Sequence, residues 1–279
     1  MNPNNPLKQY FRQPAIYIKL PSQGRNYPPE TLTMPPTGEL PVYPMTAIDE
    51  ITYRTPDALY NGQATVNVIQ SCIPDIKDAW AIPSTDIDTL LIAIRIATHG
   101  HNMDFNTVCP ACQHESEQTM DLRTVLDSIH IADYDKTIQA GDMEIFFKPL
   151  SYRHVNNNNQ MQYENQKLLQ MLPDAGIPDA EKMSALSDAL KKITDITVVA
   201  LAQSISVVKT PQALVSEPEF IEEMLKNCNS KLFNQIRDFI IDLKASSEMQ
   251  PLKLVCSECA HNYEQNITLD MSSFFAHAS

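Results

Sequence analysis

The stretch Val108-Cys109-Pro110-Ala111-Cys112-Gln113-His114-Glu115-Ser116-Glu117-Gln118 returns near the other end of the chain. There it reads Val255-Cys256-Ser257-Glu258-Cys259-Ala260-His261-Asn262-Tyr263-Glu264-Gln265. His114 and His261 stand at the same offset from their cysteine pairs, as do Glu117-Gln118 and Glu264-Gln265. A Cys-x-x-Cys knuckle between two strands offers two thiolates, half of a tetrahedral site. Two such knuckles complete the four-cysteine shell of a structural zinc ion, with Zn–S bonds of about 2.3 Å. The expectation is one Zn2+ per chain, held by Cys109, Cys112, Cys256 and Cys259, in a zinc ribbon split across the sequence.

The two pairs are separated by 143 residues. Closing such a loop costs about 4–5 kcal/mol of chain entropy. Structural zinc binding to thiolates releases on the order of 10–16 kcal/mol in small peptides. The metal term is the larger, so a split site can lock the end of the chain onto its middle. The competing reading is a redox dithiol, since Cys109-Pro110-Ala111-Cys112 is glutaredoxin-like. Redox pairs sit where a strand enters a helix N-terminus, whereas the residues after Cys112 read as the return strand of a hairpin. A redox site also has no need of a second copy. With four thiolates filling the shell, His114 and His261 are expected to hydrogen-bond within the knuckles.

Composition narrows the function. Lys and Arg total 21 against 34 Asp and Glu, a formal charge of −13, which disfavours nucleic acid, whose affinity comes from cationic contacts to phosphate. The six glycines of the 279 residues are isolated, so no phosphate-cradling loop is present. Six cysteines, four of them in paired motifs, point to metal and a reducing compartment, with Cys72 and Cys228 as inert core residues. Neither a secretory signal nor a run of about 18–20 apolar residues is found, so no membrane partner is expected.

Thirteen of the twenty prolines precede residue 84, which favours strands, turns and short helices there. Residues 1–45 read as an extended arm with short strands at Ile16–Leu20 and Leu40–Tyr43, the first fourteen residues being a loose arm. Residues 46–104 read as helical. One helix starts after Thr46, and a second, apolar on nearly every face, starts at Ser84 or Thr85 with Gly100 just past its end. Such a helix is buried, and its Arg95 is expected to be a snorkelling or salt-bridged core residue. Residues 105–150 hold the first knuckle and a hairpin turning at Ala140-Gly141-Asp142. Residues 151–250 read as a second helical segment, with a polar stretch at Asn156–Ala185. Two apolar stripes in it are expected to be core: Leu186, Leu190, Ile193, Thr197 and Leu201, and Leu232, Ile236, Phe239, Ile240 and Leu243. Residues 251–279 carry the second knuckle and the aromatic pair Phe274-Phe275, which would dock on the core or meet a partner.

The expected fold class is therefore α+β: short strands and zinc knuckles with mainly helical segments. Val42-Tyr43-Pro44-Met45-Thr46 and Phe147-Lys148-Pro149-Leu150-Ser151 share a plan of strand, proline, aliphatic residue and hydroxyl cap. Helices and a knuckle follow each, which suggests a tandem duplication of a strand–helix–knuckle unit. No catalytic constellation is found: there is no His-Glu-x-x-His, no deaminase His-x-Glu with Pro-Cys-x-x-Cys, and no Gly-x-Ser-x-Gly. Four cysteines close a zinc shell, whereas catalytic zinc keeps a position open. The chain reads as a non-enzyme.

Several segments then add up to a resemblance. Ile18-Lys19-Leu20-Pro21-Ser22-Gln23-Gly24-Arg25, Leu40 through Glu50, Asp86–Gly100 and the Cys109 knuckle, in this order, resemble the baseplate hub and assembly proteins of T-even-type contractile-tailed bacteriophages. The resemblance is clearest over residues 14–125 and returns at the Cys256 knuckle. It implies a structural or assembly role in the hub region of a phage tail baseplate, within a hetero-oligomeric assembly of other tail proteins. It also implies residence in the virion tail, and in host cytoplasm during assembly. The competing readings are a zinc-ribbon adaptor of a transcription or replication complex and a redox or metal enzyme.

Overall fold

The computed structural model describes residues 5–53, 62–171, 178–247, 249 and 251–266. It is a mixed α/β protein with eight α-helices and small antiparallel sheets among those residues. The chain forms two compact units. The first comprises residues 1–79, 85–130 and 248–279, and the second residues 80–84 and 131–247. The C-terminal segment thus returns to the first unit.

In the first unit, β1 (Ile16–Ile18) pairs antiparallel with β2 (Leu40–Val42), bringing Ile16 opposite Val42 and Tyr17 opposite Pro41. A two-stranded sheet tolerates Pro41 because each strand has a free edge. Leu40 and Val42 point into the core. The segment before β1 is not loose up to residue 14. Arg12 Nη2 donates to the Ser71 carbonyl at 2.7 Å and to Ser71 Oγ at 2.8 Å, while Nη1 donates to the Pro44 carbonyl and to Asp49 Oδ2. A guanidinium fork with this many fixed acceptors is pinned.

Helix α1 (Ala47–Tyr53) opens with a reciprocal cap. Asp49 N donates to Thr46 Oγ1 at 3.2 Å, and Thr46 N donates to Asp49 Oδ2 at 2.8 Å, so two end-of-helix donors are satisfied together. Helix α2 (Gln63–Cys72) buries Val66, Val68 and Ile69. Helix α3 (Ser84–His99) is buried around most of its circumference from Asp86 to Arg95 and stops before Gly100, whose φ of +88° suits glycine. Arg95 is a core residue, as the sequence suggests: burial lowers its pKa, and the carboxylate of Asp104 opposes that. At the start of α3, Asp86 is fully buried and accepts from Ser22 N at 2.9 Å, from Ser22 Oγ and from Tyr27 Oη at 3.0 Å. Those three bonds fasten the Pro21–Tyr27 turn onto the helix.

In the second unit, β5 (Ile138–Ala140) and β6 (Met143–Phe147) form the expected hairpin, with Gly141 in the turn at φ +62°. The sheet continues to β7 (Ile205–Lys209) and β8 (Leu214–Val215), in the order β5-β6-β7-β8. These last two strands lie inside the span read as helical. The chain passes straight from a helix into Ile205-Ser-Val-Val, whose β-branched residues pair with Phe147, Phe146 and Ile145. After α4 (Leu122–Ser128), the four asparagines of the polar stretch are helical in α5 (Tyr152–Met171), and α6 (Asp179–Ser204) packs against it. Ser151 Oγ accepts from His154 N at 3.4 Å at the start of α5, the counterpart of the Thr46 cap.

The core of this unit joins Ile145, Phe147, Leu201, Ile205 and Val208 to Ile221 and Leu225 of α7 (Pro218–Asn227) and to Ile236 and Leu243 of α8 (Ser230–Ser247). Phe147 and Phe239 pack with ring centroids 4.7 Å apart and ring planes tilted by 40°. The α8 stripe is core, as expected from its spacing. The α6 stripe is core only at Leu201: Leu186, Leu190 and Ile193 are exposed, and the buried side carries Ala189, Ile196, Val198, Leu201 and Ala202. Both faces have helical spacing, and Val198, Leu201 and Ala202 on the buried one join the core formed with the sheet and the last two helices. Phe274 and Phe275 lie outside the described residues. Among those described, no helix is long and apolar enough to cross a membrane.

Candidate metal centre

Both cysteine pairs lie at the tips of two-stranded hairpins within the first unit. In the first, β3 (Asn102–Val108) pairs with β4 (Glu115–Asp121), the last rung being Val108 opposite Glu115. In the second, β9 (Leu252–Val255) pairs with β10 (Asn262–Gln265), the last rung being Val255 opposite Asn262. The loops between these rungs match bond for bond. Cys109 N donates to the His114 carbonyl at 2.9 Å, and Gln113 N donates to the Cys109 carbonyl at 2.9 Å. Correspondingly, Cys256 N donates to the His261 carbonyl at 2.9 Å, and Ala260 N donates to the Cys256 carbonyl at 3.0 Å. Gln113 (φ +61°) and Ala260 (φ +56°) take the left-handed conformation at the same place in each loop. That conformation costs a non-glycine residue roughly 1–2 kcal/mol. It is what turns the chain after each cysteine pair into the return strand.

The four sulfurs converge. All lie within 4.8 Å of one another, with Cys109 Sγ 3.7 Å from Cys259 Sγ and Cys112 Sγ 3.6 Å from Cys256 Sγ. A tetrahedron with metal–sulfur bonds of about 2.3 Å has edges of about 3.8 Å, so these cross-hairpin spacings fit a shared ion. None of the cysteines forms a disulfide. Cys109 and Cys256 are buried, while Cys112 and Cys259 face outward.

The electrostatics of the thiols point the same way. The Cys259 amide, with that of Glu258, holds the Cys256 thiol down at about 6. At Cys112 the His114 amide acts in that direction too, but the surrounding sulfurs and desolvation outweigh it and push the thiol up to about 12. Cys259 is also raised, with the sulfurs of Cys256 and Cys109 working against the His261 amide. The knuckle amides can stabilise one thiolate. Four thiolates this close repel, so the outer thiols hold their protons unless a cation at the centre takes their place.

The four cysteines could hold a metal ion, and the fold brings together all four sulfurs singled out in the sequence. His114 and His261 contribute main-chain carbonyls to their loops, as anticipated. One feature of the centre is absent from the repeat. Thr107 is buried beside the first knuckle, with its Oγ1 3.2 Å from Tyr263 Oη and donating to Gln265 Oε1 at 3.5 Å. This contact fastens one hairpin to the other. Gln265 has its counterpart in Gln118, but the other two residues have none in the opposite hairpin, where Leu254 matches Thr107 and Ser116 matches Tyr263.

Residues 31–276 match the family described as T4 bacteriophage base plate protein. The chain belongs to that family. No curated protein and no solved structure matched in the corresponding comparisons. The match spans both knuckles and both units, so the centre belongs to the body of this base plate protein. Family membership makes it a structural protein of the phage baseplate and implies a place in the virion tail among other tail proteins.

Proposed function

We propose that this chain is a non-catalytic structural or assembly component of the baseplate hub, stabilised by one zinc ion held by Cys109, Cys112, Cys256 and Cys259. Its direct partners are other tail and baseplate proteins, met in host cytoplasm during assembly and retained in the virion tail. The family match over residues 31–276 is the observation that carries the reading. The all-cysteine donor set supports a structural ion, because four thiolates leave no coordination position for a substrate or a water. Two-stranded hairpins are marginal alone, and an ion shared by two of them replaces the core they lack.

The shared strand–proline–hydroxyl cap, present at Thr46 and Ser151, favours a tandem origin for the two halves, with β7 and β8 added in the second. The test of function is imaging of assembled tails together with quantification of this chain in purified baseplates. Density at the hub and co-purification with tail proteins support it. Absence from baseplates and from every assembly intermediate refutes it, as does salt-sensitive DNA binding as the principal activity.

A further inference from the structure

We propose that the four-cysteine cluster is an oxidation site at which a peroxide joins Cys109 to Cys259 and Cys112 to Cys256. The two disulfides would tie the β9–β10 hairpin to the β3–β4 hairpin and release the ion. The inference rests on the function proposed above, in which a chain folded in reducing host cytoplasm then resides in a virion, a setting where disulfides persist.

The pairing follows from where the sulfurs stand. Cys109 Sγ is 3.7 Å from Cys259 Sγ, and Cys112 Sγ is 3.6 Å from Cys256 Sγ. A disulfide is about 2.05 Å long, so each pair has about 1.6 Å left to close. The two contacts use each sulfur once, and one arrangement therefore serves both bonds. Each contact also joins an exposed cysteine, Cys259 or Cys112, to a buried one, Cys109 or Cys256. The exposed sulfur meets the oxidant, and the buried one completes the bond. The contact of Thr107 Oγ1 with Tyr263 Oη at 3.2 Å aligns the two hairpins for the first disulfide. That disulfide then keeps them together for the second.

Chain connectivity alone favours the opposite pairing. Cys109 and Cys259 are 150 residues apart and Cys112 and Cys256 are 144 apart, whereas the members of each Cys-x-x-Cys pair have only two residues between them. Closure probability falls roughly as the −3/2 power of loop length, so an unfolded chain should pair within its hairpins by on the order of a hundredfold. Cross-hairpin disulfides are thus a signature of the folded cluster.

The chemistry balances. The sulfur of Cys259 attacks one peroxide oxygen, the O–O bond breaks, and hydroxide leaves behind a sulfenic acid. The sulfur of Cys109 attacks that sulfenic sulfur, forming the S–S bond and expelling a second hydroxide. Two thiolates have then given two electrons to one peroxide. Cys112 and Cys256 repeat the sequence with a second peroxide, which leaves no thiolate to hold a metal. A covalent tie replaces the ion.

The experiment uses the full chain, purified reduced, with its zinc measured first. Hydrogen peroxide is added to the native protein, and separately to protein unfolded in guanidinium with a chelator. Non-reducing peptide mapping of the native sample should favour Cys109–Cys259 and Cys112–Cys256 over within-hairpin pairs by about tenfold or more, and the unfolded sample should show the reverse. The oxidised native chain should have lost its zinc yet keep hydrogen-exchange protection across residues 252–265. A reduced, zinc-stripped chain should lose that protection. Within-hairpin pairs in the native sample overturn the proposal, as do Cys109–Cys256 with Cys112–Cys259, sulfinic acids without disulfides, or thiols that stay reduced. Loss of protection on oxidation overturns it too. The zinc measurement made beforehand decides the ion and the peptide map decides the pairing, so the two readings fail separately.

Discussion

Replacing Cys256 by serine removes one of the four sulfur donors and leaves the β9–β10 hairpin with little else to hold it. With the ion in place, the 143 residues between the cysteine pairs are closed into a loop, against a chain entropy of about 4–5 kcal/mol. Without the ion, the hairpin-to-hairpin contact of Thr107 with Tyr263 remains, and a neutral hydrogen bond contributes only about 1 kcal/mol. The remaining contact is too weak to close the loop, so β9–β10 should detach. The core of the second unit, around Ile145, Ile205 and Ile236, involves none of these residues and should stay folded. The assay is hydrogen exchange resolved by peptide, with metal content measured on the same sample. Cys256→Ser should lose bound zinc and lose protection across residues 252–265 while keeping it across β5 to β7. Full protection of 252–265 with stoichiometric metal would refute the reasoning. So would two ions per wild-type chain, because each hairpin would then hold its own.

Three further outcomes are expected. Asp86→Ala strands the donors of Ser22 and Tyr27 in a buried site and should cost about 3 kcal/mol or more in denaturant unfolding, whereas Asp86→Asn, which keeps an acceptor, should cost less. Ala260→Gly relieves a left-handed alanine and should tighten zinc binding by about twofold in a competition titration, the gain being limited by glycine's greater unfolded-state entropy. Burial, with Lys148 and Arg153 nearby, holds the His154 pKa below its ordinary value. The unfolded chain therefore takes up that proton first as pH falls. Stability should be complete above pH of about 6.5 and decline below it, and His154→Gln should flatten that slope in thermal melts.

The four-cysteine cluster could be read from the sequence because its information is local and doubled. Each knuckle supplies a cysteine pair, a left-handed residue and a histidine carbonyl within six positions, and the second copy shows where the other half of the shell comes from. The limits of α3 were likewise visible, in the Ser84 start and the stop before Gly100. Other features depend on distant partners. Two of the acceptors that pin Arg12 are the main-chain carbonyls of Pro44 and Ser71, which carry no mark in the sequence. Strand β7 begins directly after a 26-residue helix, and its five residues become a strand only because β6 offers an edge. On α6 two seams compete for the core, and periodicity alone cannot say which side a neighbouring helix covers.

X-ray absorption at the zinc edge on the intact, purified chain tests the central claim most directly. The account predicts one zinc per chain with four sulfur neighbours at about 2.3 Å and no nitrogen or oxygen in the first shell. A shell containing nitrogen or oxygen donors, or thiols found oxidised in pairs within each hairpin, would contradict it.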